Sequence, residues 1–201
     1  MVFVVTVIGC TQYSNDAVIA IQPLGTIPQE QIELIKEAIA SVYDLSVIVL
    51  PARAPFASAY TPLKGNRYRA DTTIAILKRT RPDSVDFIMG ITNFDICITK
   101  YAADGTVKKP EHKYADFGIF GLGYRPGPSC VVSTFRLGDF NTEITKNRLA
   151  KICVHELGHN FGLPHCPDKK CVMTDAVESI ATVDNAELRL CKECKATLGM
   201  D

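Results

Sequence analysis

The sequence predicts an α/β fold built on a mixed, twisted five-stranded sheet, with two helices and a third, longer helix packed on it. Two observations support this prediction. Short apolar runs alternate with helical segments over residues 1–92, in the order strand, helix, strand, helix, strand, which favours a partly parallel sheet with right-handed crossovers. Two more apolar runs and a long helical segment follow before residue 161. The 201 residues suffice for one domain with a substantial core.

The first two strands and the helix between them are predicted from short residue patterns. Residues 1–10, MVFVVTVIGC, form an apolar run that predicts a buried strand. Residues 28–43 repeat apolar side chains at helical spacing behind Pro28, which suits a first helical turn. Residues 45–50, LSVIVL, are short, β-branched and closed by a proline, so they predict a second buried strand.

The middle of the chain supplies the rest of the sheet. Residues 71–81 predict a second helix, residues 85–92 a third strand, and residues 93–114 a polar loop. Residues 118–125, GIFGLGYR, and residues 130–136, CVVSTFR, predict two further strands. The glycines of GIFGLGYR favour an edge strand with accessible backbone.

A long helix should begin at a cap formed by Asp139 or Asn141 and run to about Phe161. His155 and His159 lie on one side of it, about 40° apart on the helical wheel. The opposite side carries an apolar stripe, which consists of Ala150, Cys153, Val154, Leu157 and Phe161. The helix should therefore pack on the sheet and direct two imidazoles away from it. A last helix is predicted at residues 184–198.

Composition excludes several kinds of partner. Lys+Arg and Asp+Glu both number 22, so the chain lacks the positive charge that binding to nucleic acid or an anionic membrane requires. The apolar run at residues 1–10 is too short to span a bilayer and lacks the basic residues and cleavage site of a signal peptide. We therefore expect a cytoplasmic protein with no nucleic-acid or membrane partner. We also expect a monomer.

The eight cysteines fall into two groups. The first four are scattered among apolar stretches and are expected to be small core residues; they are Cys10, Cys97, Cys130 and Cys153. The last four form two close pairs and indicate a metal site; they are Cys166, Cys171, Cys191 and Cys194. Disulfides or reduced core thiols are the alternative for the second group, and a cytoplasmic location disfavours the disulfides.

The run VHELGHNFGLPHC contains an HExxHxxGxxH motif formed by His155, Glu156, His159, Gly162 and His165. Imidazoles at i and i+4 of a helix can bind one zinc ion, and a third from beyond the helix leaves the fourth position for water. Zinc lowers the pKa of that water to about 7, and Glu156 can take its proton as general base and later protonate the leaving amine. Gly162 can adopt the positive φ that a turn towards His165 requires. The motif thus predicts a zinc-dependent peptidase.

The spacing of the second cysteine group relative to this motif indicates a family. Over residues 155–194 the sequence resembles the archaemetzincins, a branch of the metzincin clan of zinc peptidases. The resemblance implies a metzincin-like fold and a second, structural zinc ion held by Cys166, Cys171, Cys191 and Cys194. It also implies a Met-turn at Met173, which would pack beneath the catalytic zinc without binding it. Some metzincins carry a zinc-binding tyrosine where this chain has Asp175, so that role is not transferred.

The resemblance also implies a division of the single catalytic domain into two parts. Residues 1–161 would form an N-terminal subdomain with the sheet and the active-site helix. Residues 162–201 would form a C-terminal subdomain with the third zinc ligand, the Met-turn and the four-cysteine site. The strand at Gly118–Tyr124 would hold an extended substrate by main-chain hydrogen bonds, although an ordinary strand without a ligand is an equal alternative.

Two other functions compete with the peptidase. A non-catalytic zinc-binding module that mediates partner interaction needs the ligands but has no use for Glu156, so that residue disfavours it. Hydrolysis of a non-peptide amide would use the same residues. His112 lies in a lysine-rich polar loop and is predicted to be an ordinary exposed histidine.

Overall fold

The computed structural model describes residues 13–175 and 179–200 of the chain. Its strands are β1 (Ile19–Leu24), β2 (Val47–Val49), β3 (Tyr60–Thr61), β4 (Arg67–Arg69), β5 (Phe87–Thr92), β6 (Asp95–Ile98), β7 (Phe117–Ile119), β8 (Gly121–Gly123) and β9 (Ser129–Ser133). Its helices are α1 (Gln29–Tyr43), α2 (Ala70–Thr80), α3 (Glu111–Tyr114), α4 (Glu143–Asn160), α5 (Ile180–Asn185) and α6 (Lys192–Leu198). None of the helices described is long and apolar enough to cross a membrane.

The main sheet has five strands in the order β2-β1-β5-β9-β8, which confirms the mixed five-stranded sheet that the sequence predicts. The first four strands pair in parallel, and β8 pairs antiparallel to β9. The central strands β1, β5 and β9 are buried at every position, as expected for parallel strands covered on both faces.

Helices cover both faces of this sheet. On one face, α1 and α4 pack together and share the largest apolar cluster with β1, β5 and β9. On the other face, α2 packs against β5 and β9, with Leu77 buried between Ala20 and Ile88. The α4 face is fixed by burial of its apolar stripe, which confirms the predicted orientation of that helix.

The strands at the N-terminal end differ in detail from the prediction. The strand predicted at residues 1–10 lies outside the described residues, whereas β1 was not predicted. The run LSVIVL does form a strand, β2, but its burial was predicted wrongly, since Ile48 is 43% exposed and Val49 is 42% exposed. The reason is that β1 occupies the inner position and leaves β2 at the edge of the sheet.

A second sheet of four strands, β3-β4-β6-β7, was not predicted. Its strand β6 and the helix α3 lie within residues 93–114, where the sequence predicts a loop. β6 is difficult to predict from sequence because it contains the buried carboxylate of Asp95. A charged side chain is tolerated inside a strand only when it is paired. The run GIFGLGYR is not one strand either: it divides into β7 in the second sheet and β8 in the main sheet.

Two helix boundaries also differ. The cap of α4 is Thr142, whose hydroxyl oxygen accepts a hydrogen bond from the Thr145 amide at 3.2 Å, rather than Asp139 or Asn141. The helix predicted at residues 184–198 is instead two helices, α5 and α6, with Cys191 as the N-terminal cap of α6. The non-helical segment between them pairs with the loop before it, through hydrogen bonds from Val172 N to Arg189 O and from Glu187 N to Lys170 O.

Candidate metal centres and active site

The three histidines of the motif converge at the cleft end of α4. His155 and His159 project from its last turns, and their ring centroids are 4.6 Å apart. The chain turns after the helix at Gly162, whose φ of 102° confirms the predicted positive value. This turn brings His165 to 5.4 Å from His155 and 4.9 Å from His159, centroid to centroid. One ligand atom from each imidazole lies within 4.8 Å of the others.

Backbone carbonyls orient two of these imidazoles. His155 Nδ1 lies 2.8 Å from the carbonyl oxygen of Val172, and His159 Nδ1 lies 2.8 Å from that of Leu163. A carbonyl oxygen can only accept a hydrogen bond, so each Nδ1 carries the proton and each Nε2 offers its lone pair. Burial, with a smaller contribution from His159, lowers the pKa of His155 to about 4. The ring is therefore neutral near pH 7, as a metal ligand must be.

Glu156 lies between α4 and the edge strand β8. Its side chain lines the cleft but is only 8% exposed. A β-carbon on Gly121 would come within 2.7 Å of Glu156 Cγ and Oε1, so the absence of a side chain at Gly121 makes room for the carboxyl group. Burial raises the pKa of Glu156 to about 8, and a dication beside it would oppose that rise by favouring the ionised form.

The second cysteine group forms a closed cluster beside this site. Cys166 Sγ lies 3.6 Å from Cys191 Sγ, and Cys171 Sγ lies 3.8 Å from Cys194 Sγ. All four ligand atoms lie within 4.8 Å of one another, and all four residues are buried. Disulfides would require about 2.05 Å between sulfurs. The observed separations instead approach the edge of about 3.8 Å of a tetrahedron with zinc–sulfur bonds of about 2.3 Å, so the cluster fits a structural zinc ion.

Other predicted residues take the following places. Cys97, Cys130 and Cys153 are fully buried, as predicted for core thiols, and burial raises the pKa of Cys97 to about 12. Cys10 lies outside the described residues. Met173 is fully buried, and its sulfur packs against Gly158 in the turn of α4 that carries the histidines.

The cleft itself measures about 1030 Å³ and is lined by the three histidines of the motif, Glu156 and the residues of β7 and β8. β8 forms one end of the main sheet. His112 is exposed, as predicted, but it also lines the cleft.

The model for peptidase family M54 matches residues 29–199 of the chain. This chain is an archaemetzincin-family protein, a member of peptidase family M54. The archaemetzincin of Halobacterium salinarum is 32% identical over 187 residues, which cover 89% of this chain and 97% of that protein. The crystal structure of archaemetzincin from Methanopyrus kandleri has a TM-score of 0.74 and 28% identity, covering 92% of this chain and 94% of that one. That of Archaeoglobus fulgidus archaemetzincin complexed with malonate has a TM-score of 0.69 and 28% identity, covering 89% and 98%.

Membership in the archaemetzincin family establishes the enzyme class: the chain is a zinc-dependent metallopeptidase, a hydrolase that acts on peptides. The family resemblance drawn from residues 155–194 is thereby confirmed over most of the chain.

Several residues of this archaemetzincin site were not found from the sequence. The carbonyls of Val172 and Leu163 are backbone atoms, so no side-chain pattern marks them. Asn160 was also missed, although it is fully buried and its Nδ2 donates to the carbonyls of Tyr124 and Ser129 at 3.0 and 2.9 Å. These bonds fasten the end of α4 to the β8–β9 hairpin. The only feature of the sequence that points to Asn160 is its position next to His159 in the motif.

Proposed function

We propose that this chain hydrolyses peptide bonds with a catalytic zinc ion held by His155, His159 and His165 and with Glu156 as general base and acid. The observation that carries the proposal is the convergence of three imidazoles, two of them oriented by carbonyls, beside a buried carboxylate. When bound, zinc supplies a Lewis acid that polarises a carbonyl group and lowers the pKa of water.

Glu156 performs the proton transfers. It accepts a proton from the attacking water and delivers one to the leaving amine nitrogen, so the carboxyl group ends the cycle as it began. Its position under β8 excludes bulk water from one side of the carboxyl group, which strengthens its electrostatic interactions. Gly121 maintains this position because any larger side chain there would displace Glu156.

The substrate is proposed to bind as an extended strand along β8. This strand pairs with β9 on one side, ends the main sheet and lines the cleft, so its backbone can pair with a peptide. Gly121 and Gly123 leave the backbone uncovered by side chains. The relevant part of the predicted strand at Gly118–Tyr124 is therefore β8.

We further propose a second, structural zinc ion at Cys166, Cys171, Cys191 and Cys194, giving two per chain. The four buried thiols with sulfur separations of 3.6 and 3.8 Å support it. This ion would hold together residues 162–201, the proposed C-terminal subdomain, which meets the N-terminal subdomain of residues 1–161 at the end of α4. The seven cysteines in the described part of the chain form no disulfide, and free thiols suit a reducing compartment, which supports a cytoplasmic enzyme. The balanced charge disfavours a nucleic-acid or anionic membrane partner, and we propose that the chain acts as a monomer.

Metal analysis combined with peptide cleavage tests the proposal. Wild type and Glu156→Gln should both bind two zinc ions, and the variant should lose about 10²–10⁴-fold in kcat on a fluorogenic peptide library. Two zinc ions without cleavage by the wild type would instead indicate a zinc-binding module for a protein partner. Cleavage of small amides but not of peptides would indicate a different substrate class. Fewer than two zinc ions would contradict one of the two ligand sets.

A further inference from the structure

More basic than acidic residues line the described part of the cleft, although the chain as a whole is neutral. Lys+Arg and Asp+Glu each number 22 in the sequence, yet seven of the basic residues and three of the acidic ones line the cleft among the described residues. One of the three carboxylates, Glu156, is the proposed general base. A second, Asp175, lies 3.6 Å from His165 Nδ1. The third, Asp116, lies 3.5 Å from Arg67 Nη1. At the end of the cleft formed by Arg136, Arg67 and Lys64, only Asp95 and Asp116 of the described chain pair with these three positive charges.

Asp95 fixes the orientation of Arg136, one of the arginines that line the cleft. Nε and Nη2 of Arg136 donate to the two carboxylate oxygens of Asp95 at 2.6 and 2.7 Å. Arg67 Nε donates to the same carboxylate at 2.7 Å. The Arg136 side chain is 32% exposed, against 16% for Arg67, so Arg136 is the more accessible of the two. A guanidinium that one carboxylate holds in place and that borders a cleft is preorganised to bind another carboxylate.

Lys64 provides the net positive charge at this end of the cleft, because the two arginines are balanced by Asp95 and Asp116. Lys64 is exposed, and its Nζ donates to a neutral backbone carbonyl, that of Lys113, at 3.1 Å. This contact leaves the positive charge of Lys64 in place. Lys64 therefore raises the local potential around Arg136.

The distance from Arg136 to the proposed general base is set by the extended chain. The guanidinium of Arg136 occupies the space that a side chain at Gly118 in β7 would fill, and the carboxyl group of Glu156 does the same at Gly121 in β8. Three residues of extended chain span at most about 10 Å. A peptide strand lying along β8 advances about 3.3 Å per residue, so Arg136 lies opposite a substrate residue two or three positions from the scissile bond.

We propose, on the basis of the peptidase function proposed above, that the end of the cleft formed by Arg136, Arg67 and Lys64 binds a carboxylate of the substrate two or three residues from the scissile bond. The enzyme accordingly prefers peptides with an acidic residue on that side. The carboxylate is supplied by an aspartate or glutamate side chain or by the peptide C-terminus, since both present the same planar pair of oxygens.

Positional peptide sets test the preference directly in the zinc-loaded wild type. A cleaved parent peptide, amidated at its C-terminus, is varied to Asp, Asn or Lys at each of the three positions on either side of the scissile bond. We expect Asp to raise kcat/KM over Lys about tenfold to hundredfold at one position two or three residues away, on one side only, since hydrogen bonds to charged groups have this strength. A free-acid peptide ending at the same position tests the terminal carboxylate.

Two variants connect the preference to this end of the cleft, and two others serve as controls. Arg136→Gln should reduce the Asp-over-Lys ratio to near one. Lys64→Glu, on an exposed loop, should reduce it about two- to fivefold without disturbing the fold. Arg79→Glu on the outer surface of α2 changes net charge equally and should leave the ratio unchanged. Arg125→Gln, beyond the opposite end of β8, should also leave it unchanged.

The outcomes separate this proposal from the peptidase assignment. No cleavage of any peptide by the zinc-loaded wild type would refute the proposed function itself. Cleavage without an acidic preference, or a preference that Arg125→Gln removes and Arg136→Gln and Lys64→Glu retain, would refute the carboxylate site alone. A preference confined to the free-acid peptide would support the site with the C-terminus as its ligand.

Discussion

The histidine cluster and the cysteine cluster are adjacent in the chain, since His165 and Cys166 are consecutive, but their surroundings are opposite. The histidine side opens into the cleft, and His165 has a side chain that is 41% exposed. The cysteine side is closed, with none of its four residues more than 9% exposed. Catalytic zinc sites keep a position for substrate and water, whereas structural sites fill every position with protein ligands. Accessibility thus distinguishes the proposed catalytic site from the proposed structural site, which a list of ligand residues would not.

The histidine cluster also depends on the cysteine cluster, but the reverse is not true. Cys171 precedes Val172, whose carbonyl oxygen orients the His155 ring at 2.8 Å. Val172 N in turn donates to Arg189 O, two residues before Cys191. Anything that loosens the cysteine cluster therefore disturbs the orientation of His155, whereas the cysteine cluster has ligands only from its own group.

The largest effect is expected from breaking the closed cluster. Cys171→Ser should abolish the binding of one zinc ion and lower the free energy of unfolding by several kcal/mol. The reason is that structural zinc contributes about 10–16 kcal/mol of apparent binding free energy in small zinc domains. Peptidase activity should fall as well, since Val172 loses its anchor. Thermal unfolding, zinc content and peptide cleavage measure the three consequences.

The matched change in the open cluster is His165→Ala. It should also remove one zinc ion and activity, but with a much smaller change in the unfolding midpoint, because His165 is exposed and contributes little to the core. His112→Ala, which removes a histidine outside the motif, should retain both zinc ions. An unfolding midpoint that falls equally in Cys171→Ser and His165→Ala would contradict the contrast between structural and catalytic sites.

A smaller effect is expected from Gly121→Ala, which alters the open site without touching a ligand. The new methyl group would meet Glu156 within 2.7 Å, and the flexible side chain would shift away. We expect kcat to fall about tenfold or more, because misplacement of a catalytic group by about 1 Å can cost about 100-fold. Zinc content should be unchanged. Full activity in the variant would mean that Glu156 does not need its position under β8.

The smallest effect concerns the surface between α4 and α5. Arg148 Nε and Nη2 donate to both carboxylate oxygens of Asp184 at 2.7 Å, and this hydrogen bonding lowers the pKa of Asp184. A lowered pKa stabilises the fold above the unfolded-state value of about 3.9 and ceases to do so as the pH falls through the folded value. Arg148→Gln should therefore cost about 0.5 kcal/mol at pH 7, since exposed pairs are screened.

Urea unfolding between pH 3 and 7 measures this cost, and the difference from wild type should narrow only below about pH 4. Arg189→Gln is the control, because its partner Glu187 is half exposed and only two residues away. A difference that persists undiminished at low pH would contradict an origin in the Arg148–Asp184 ion pair.

The sequence predicts the features that depend on spacing and misses those that depend on partners distant in the chain. The HExxH spacing places two imidazoles on one side of a helix, and Gly162 supplies the turn, so the convergence with His165 is foreseeable. The family and the metallopeptidase class follow from the motif and the cysteine spacing, and the mixed sheet follows from the alternation of apolar runs and helical segments. All three predictions are confirmed. The roles of the individual ligands and of Glu156 stay predictions.

The second sheet was unforeseeable for a physical reason. The strand β6 carries Asp95, which is tolerable inside a strand only because Arg67 and Arg136, 28 and 41 residues away, neutralise it. The cap at Thr142 and the carbonyl of Val172 are likewise selected by three-dimensional context among several equivalent candidates in the sequence.

The hydrogen bond from His155 to the Val172 carbonyl has a consequence for how activity and metal content are related. On the proposed assignment, a chelator that first removes the zinc ion from the cysteine cluster would release Val172. The enzyme would then lose activity while the histidines still bind their zinc ion. Activity would then decline faster than total zinc, and a preparation with half its metal would not be a half-active one. Specific activity is therefore meaningful for this protein only when occupancy is stated separately for each of the two centres.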